Sequence, residues 1–445
     1  MGLNYHSIFL LEDGTVRTVG RNDYGQCGTS NTNTRQLSLY TIPNLNNVKQ
    51  VACGYDHIVF LLKDGTVRTV GYNGNGQCGT GKTSSEQLSL YTIPDLNNVK
   101  QVACGDDYTV FLLKDGTVRT VGRNDYGQCG TGNTNTRQLS LYTIPNLNNV
   151  KQVACGGHHT VFLLEDGTVR TVGRNIHGQC GTGNTNTPRL SLYTIPNLNN
   201  VKQVACGGHH TVFLLEDGTV RTVGRNIHGQ CGTGNTNTPR LSLYTIPNLN
   251  NVKQVACGYD HIVFLLKDGT VRTVGYNGNG QCGTGKTSSE QLSLYTIPNL
   301  NNVKQITCGR YYTVFLLKDG TVRTVGANGH GQCGTGDVGV QTSLYTIQGL
   351  NNVESLWDDD VMIAKYLIKQ YNNYYSINPE YYDTSNKTYI PLTLEGGLVP
   401  TIQDIYTFGF RSIRGLTVQQ DIDGETFKPI DKFLNNFKVV AYIIK

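Results

Sequence analysis

The chain has 445 residues, a hydrophobic content of 38% and a formal net charge of +5, enough for one large domain and one small module. The charge lies in no basic run, and residues 358–445 are slightly acidic, 9 Lys+Arg against 11 Asp+Glu. Its spread is too dilute for a nucleic-acid footprint, and no apolar stretch reaches membrane-spanning length.

The opening MGLNYHSIFLLEDG has no basic n-region, no sustained apolar run and no small-residue cleavage site. It does not read as a signal peptide, and folding in a cytoplasm is expected. The octapeptide DGTVRTVG begins at Asp13 and returns at Asp64, Asp115, Asp166, Asp217, Asp268 and Asp319, each time 51 residues on. Such a period means stacked units, because one unit cannot bury its own apolar face. Within the unit 154–204, the apolar run Thr160 to Leu164 reads as a strand covered on both faces. Glu165-Asp166-Gly167-Thr168 and the β-type run Val169 to Val172 follow. Asp-Gly between two such runs predicts a hairpin whose two turn residues both take positive φ. Leu190 to Ile195 and Val201 to Cys206 add two short strands, and no helical period occurs. Four-stranded units in radial repetition describe a propeller.

The ends complement each other. Met1 to Phe9 enters in mid-unit, with His6 aligned to His57 and no counterpart of Val48 to Cys53; that counterpart appears at Val353 to Trp357. The predicted fold is all-β: a seven-bladed β-propeller of four-stranded blades over residues 1–357, closed by strands from both chain ends. A small β-rich module over 358–445 follows it.

The pattern CG-x-x-H-T-x-x-L-x-x-DG-x-V-x-x-x-G-x-N-x-x-GQ-x-G-x-G, read from Cys155 to Gly183, resembles the repeat of the regulator of chromosome condensation family of seven-bladed propellers. The resemblance implies the propeller and leaves function open. Its relatives include the exchange factor for the GTPase Ran, light-signalling and ubiquitin-ligase modules, and a bacterial inhibitor of β-lactamases.

All 13 cysteines fall in the repeats, in CG after the first strand and in GQCG. No CxxC spacing occurs, so they read as small buried apolar side chains, with no metal and no disulfide expected. The Arg17 to Arg323 series is expected to send its heads to solvent or to a carbonyl. His6, His57, His159, His210 and His261 stand at the family's usual His position and read as structural.

Units 154–204 and 205–255 are identical. The differences among the units concentrate in three stretches. After the first strand they supply Tyr55 and Asp56, Asp106 and Asp107, His158, His209, Tyr259 and Asp260, Arg310 and Tyr311. After the third strand they supply Tyr72, Arg123 and Tyr126, Arg174, Ile176 and His177, Arg225, Ile227 and His228, Tyr276 and His330. The third stretch follows GQCGTG. Strand parity places all three at one end of the blades and the constant Asp-Gly turns at the other. A fixed scaffold presenting variable Tyr, His, Asp and Arg on one rim suits recognition, so these residues are the candidate contacts. No nucleophile elbow, metal-ligand cluster or phosphate loop stands out, so neither an enzyme nor a cofactor is expected.

Beyond Asp358 the repeat ends. Residues 365–377 read as a hairpin, 388–394 and 437–444 as strands, and 402–410 as a short helix. KYLIKQYNNYYSI and IQDIYTFGF resemble modules of tail-fibre and prophage proteins of clostridial-type bacteria. The expectation is therefore a non-enzymatic protein that binds a protein or cell-surface glycan through the loop face, without nucleic acid or membrane insertion. In its sharper form it is the receptor-binding part of a phage tail or tail-like particle, released without a signal peptide, with 358–445 contacting the particle or another subunit. The alternatives are an exchange-factor-like regulator or an enzyme inhibitor, both cytoplasmic.

Overall fold

A computed structural model describes residues 5–350, except 33–34, 136, 186–187 and 237–238, together with 353–355, 380–383 and 388–391. Seven four-stranded antiparallel sheets follow one another along the chain. Blade 4 shows the pattern. Val150–Cys155 is the inner strand, His159–Leu164 and Val169–Gly173 follow, and Arg189–Thr194 is the outer strand. The second strand is buried along nearly its whole length, as its unbroken apolar run requires, whereas the outer strand is half exposed.

The remaining blades run over 48–92 (blade 2), 99–143 (blade 3), 201–245 (blade 5), 252–296 (blade 6) and 303–346 (blade 7). Blade 1 is assembled from both ends of the repeat region. Val353–Ser355 pairs antiparallel with His6–Leu11, which is followed by Val16–Arg21 and Arg35–Thr41. The all-β seven-bladed architecture and its two-ended closure are as the sequence predicts, and no helix occurs among the described residues.

The core lies between blades. Val161, Leu163 and Val169 of blade 4 meet Val201, Val204 and Phe213 of blade 5. Phe9 and Val19 of blade 1 join Tyr312, Val314 and Val322 of blade 7 in the same way, while Ile8, Leu10 and Val16 meet Val48, Ile58 and Phe60 of blade 2. Blade 1 therefore has a neighbour on each side and the wheel is closed. Each fully buried Phe contributes about 1.5–3 kcal/mol. The constant Gln of the inner strand adds a zipper. Gln101 Oε1 accepts the Val153 N–H at 2.9 Å and Gln101 Nε2 donates to the Val153 carbonyl at 3.2 Å.

The Asp-Gly turn differs from expectation. Only Gly167 has positive φ, +80°. The Gly167 N–H reaches the Leu164 carbonyl at 3.0 Å and Leu164 N–H reaches the Thr168 carbonyl at 2.9 Å. The connection is thus a three-residue loop ending in a left-handed glycine. Asp166 instead caps the turn, its Oδ1 accepting the Thr168 N–H at 2.9 Å and Oγ–H at 2.7 Å. These bonds hold its carboxyl below the usual range. A side chain that accepts two local donors is held without visiting positive φ.

The arginine series behaves as expected. Arg170 Nη1 donates to the Asn146 carbonyl at 2.7 Å and Arg68 to that of Asn44 at 2.9 Å, each acceptor residue being an asparagine at positive φ. The thirteen cysteines are free, and all but Cys53 are buried. Cys180 Sγ lies 3.4 Å from the Arg174 carbonyl, and burial pushes its thiol up to about 12.

The chain divides into two compact units, Met1–Trp357 and Asp358–Lys445. In the second unit Glu380–Asp383 pairs with Thr388–Pro391. The strand expected over 388–394 is thus seen in part, its partner is not one the sequence predicts, and the readings at 365–377, 402–410 and 437–444 lie outside the described residues. No helix of the described residues is long and apolar enough to cross a membrane.

Candidate functional site

The inner strands of blades 2 to 7 end in Cys-Gly. At Gly156 a Cβ would stand 2.1 Å from His159 Cε1, so the glycine makes room for the imidazole. The Gly156 N–H turns back to the His159 carbonyl at 2.8 Å, which projects the two residues between them from the blade end. The first of these two links to its counterpart in the next blade. Tyr55 N–H donates to Asp106 O at 2.9 Å, Asp106 to Gly157 at 3.3 Å, Gly157 to Gly208 at 3.2 Å, Gly208 to Tyr259 at 3.0 Å and Tyr259 to Arg310 at 2.9 Å. This backbone collar encircles the axis from blade 2 to blade 7. Nothing in the sequence marks it, since it uses no side chain.

The second projecting residue meets the Gln of GQCG from the preceding blade. Gln26 Nε2 donates to Asp56 at 3.0 Å, Gln77 to Asp107 at 3.5 Å and Gln230 to Asp260 at 2.7 Å. Each of these glutamines also accepts the N–H two residues before it, shaping the loop after the third strand. Where that second residue is His158, His209, Tyr311 or Tyr5, the amide nitrogens of Gln128, Gln179, Gln281 and Gln332 are buried without a partner. Sequence reasoning passed over these glutamines because they are constant; the constancy of GQ beside a variable loop was the available signal.

Three arginines of the face are neutralised. Arg21 meets Asp23 at 2.6 Å and Asp56 at 3.1 Å, Arg123 meets Asp125 at 2.6 Å and Asp107 at 3.4 Å, and Arg225 meets Asp260 at 3.5 Å. Burial nevertheless raises the Asp56 carboxyl to about 7 against the pull of Arg21. Asp107 and Asp260 are also raised by burial.

The rings meet from blade to blade in one large cluster and two separate pairs, Tyr126–His158 and Tyr24–Tyr72. Tyr126 lies 5.3 Å from His158, His177 5.4 Å from His209, and His209 5.3 Å from Tyr259, whose hydroxyl is 3.0 Å from His209 Nε2. Tyr276 lies 5.7 Å from Tyr311 and 4.8 Å from His228. His330 lies 5.3 Å from Tyr5, and Tyr72 4.9 Å from Tyr24. Arg174 covers Tyr126 at 4.9 Å.

The structure thus brings the expected residues to one end of the wheel, with a division of labour. Asp56, Asp260 and His209 are 6%, 4% and 7% exposed; they hold neighbouring side chains in place and offer little surface. Tyr55, Tyr72, Tyr126, His158, Arg174, Ile176, His177, Arg225, His228, Tyr259, Tyr276, Arg310, Tyr311 and His330 are half-buried. Ile227 stands out at 41%. Tyr5, Arg21 and Tyr24 join the face although they were outside the expected contact set.

The repeated histidines are framework. His159 Nε2 lies 2.9 Å from Thr211 Oγ1 and His57 Nε2 2.9 Å from Thr109 Oγ1, each bridging to the next blade. Burial lowers both imidazoles to about 3. Among the described residues no group of three or more His, Cys, Asp or Glu is placed to hold a metal ion. What the face offers is ring surface, hydrogen-bond donors and a few cations on a rigid collar.

Comparison with known proteins agrees with this architecture. Residues 3–245 match the RCC1-like domain, and residues 252–281, 303–332 and 268–316 match the regulator of chromosome condensation (RCC1) repeat. The chain is 30% identical to the ultraviolet-B receptor UVR8 of Arabidopsis thaliana over 75% of its own length and 77% of the receptor. It is 34% identical to the probable E3 ubiquitin-protein ligase HERC4 of Rattus norvegicus over 68% of its own length, but spans only 29% of that ligase. Human WBSCR16 superposes with a TM-score of 0.68 at 24% identity, covering 75% of this chain and 94% of that one. Prp20p of Saccharomyces cerevisiae, described with its binding to Gsp1p and histones, superposes with a TM-score of 0.68 at 20% identity, covering 77% and 88%.

Proposed function

The chain belongs to the regulator of chromosome condensation repeat family, and from that premise we propose that it is a non-enzymatic recognition protein whose loop face binds another protein. One observation carries this reading. The side chains that vary between otherwise near-identical blades converge on a single end of the wheel, where rings and arginines cluster over a hydrogen-bonded collar. Rigid Tyr, His and Arg give contact area at little entropic cost and are the residues from which binding hot spots are built. The family supports the same reading, since Prp20p binds Gsp1p and histones. Among the described residues, thiols raised by burial and framework imidazoles held neutral support the non-enzymatic reading.

In its finer form the partner is a protein or glycan on a cell surface, and residues 358–445 join the wheel to a phage tail-like particle. Support for that form comes from the two tail phrases alone. The test is binding of the full chain to intact bacterial cells and to a glycan array. Tyr126, His177 and Arg310 are replaced together by alanine, with Glu165→Gln on the opposite turns as control. Binding lost in the triple variant and kept in the control is the expected result. Equal binding by a folded triple variant removes the loop face from consideration.

A further inference from the structure

The collar carries Tyr55, Asp106, Tyr259 and Arg310, the other two described positions, 157 and 208, being glycine. Arg310 differs from the other arginines of the face in the number of rings around it. Its Cζ lies 3.8 Å from the ring centroid of Tyr259, 5.0 Å from Tyr55, 5.5 Å from Tyr311 and 5.8 Å from Tyr5. Rings from blades 6, 2, 7 and 1 therefore gather around one guanidinium. Its Nε is buried without a hydrogen-bond partner, and no carboxylate lies within ion-pair distance among the described residues. Arg21, Arg123 and Arg225 each have such a carboxylate; Arg174 shares the unpartnered Nε but has a single ring beside it, Tyr126. Asp106, in blade 3, is the carboxylate that acts most on Arg310 but lies beyond ion-pair distance, and its own Oδ1 is buried and unpartnered.

A guanidinium stacked on a ring uses its face and keeps its edge of N–H donors free, and that edge matches a carboxylate bidentately. Four rings fix the fork and withhold water from its face, so an incoming carboxylate meets a cation already ordered and partly desolvated. We propose that Arg310, caged by Tyr5, Tyr55, Tyr259 and Tyr311, is the receptor for one acidic side chain of the protein partner, inserted on the axis of the wheel. Burial raises the Tyr5 hydroxyl to about 12. Asp106 opposes the incoming charge and so sets a threshold on how strongly one is held.

This inference rests on the loop face being the binding surface, and its test separates the two. The full chain is titrated with a fluorescein-labelled peptide of alternating Gly and Glu, and with its Gly-Lys counterpart, by fluorescence anisotropy at low salt. The acidic peptide is expected to bind and the basic one not to. Arg310→Gln should weaken binding at least about tenfold, Arg310→Lys should fail to restore it, and Asp106→Asn should tighten it. Lys114→Gln, which removes a positive charge at the opposite turns, should leave it unchanged. Thermal melting of each variant establishes that it is folded. No binding of the acidic peptide, equal binding by folded Arg310→Gln, or preference for the basic peptide each overturns the axial site. Loss of cell binding in the triple variant but not in Arg310→Gln alone would overturn it too, while sparing the loop face.

Discussion

His159 and Tyr108 occupy one position of the repeat in neighbouring blades and solve the same problem differently. The imidazole bridges to Thr211, whereas the Tyr108 hydroxyl donates to the His159 carbonyl at 2.6 Å. Burial holds eight histidines, among them His6, His57, His159, His210 and His261, at about 2 to 4. A group whose folded pKa is lowered lends stability above its unfolded value near 6.5, and that stability is lost as pH falls toward the folded value. For one fully buried imidazole the loss is roughly 2 kcal/mol at pH 5. Asp56 and Asp106, raised to about 7 by burial, act in the opposite sense: the stability they lend while protonated is lost as pH rises through 7. Asp107 and Asp260, also raised, act in the same sense as these two; eight histidines outweigh four carboxylates, so the melting temperature should fall as pH drops from 6.5 to 4. His159→Tyr should fold and make that slope shallower in thermal melts, and an unchanged slope would exclude His159 from the acid response.

Two glycines that look alike in sequence have different reasons to be glycine at the level of the blade. Gly167 closes the outer-end hairpin at positive φ, where an L side chain costs about 1–2 kcal/mol. Gly156 instead faces the ring of His159, where a Cβ would overlap it. Gly167→Ala should therefore cost about 1–2 kcal/mol in urea unfolding. Gly156→Ala should cost about 1–3 kcal/mol and also displace the loop carrying His158. Only the second should alter binding at the loop face, and an effect of Gly167→Ala there would contradict the separation of the two ends. The hairpin itself was legible from Asp-Gly between β-type runs, but its loop length was not. The side chain of Asp166 accepts from Thr168, which stabilises a three-residue loop that two-residue turn rules do not anticipate.

The wheel as a whole is held shut by contacts between blades 7 and 1. Tyr312 donates to the His6 carbonyl at 2.6 Å and Ser7 to that of Gln332 at 2.6 Å, and Val353–Ser355 completes the inner edge of blade 1. A chain cut after residue 350 should melt at lower temperature and over a broader range than one cut after residue 357, because blade 1 then lacks its inner strand and the ring can open. Equal, sharp transitions would show that closure does not depend on that strand. The sequence by itself determined the number of blades, the order of strands within each, and the end of the wheel at which variation gathers, because a 51-residue period and strand parity are properties of the covalent chain. Only the tertiary structure decided that Gln26 Nε2 pairs with Asp56 while Gln179 Nε2 is left without a partner, and that Arg310 ends among rings from four blades. Those contacts arise where the closed wheel brings residues of different blades together, and no local pattern records which residues meet there.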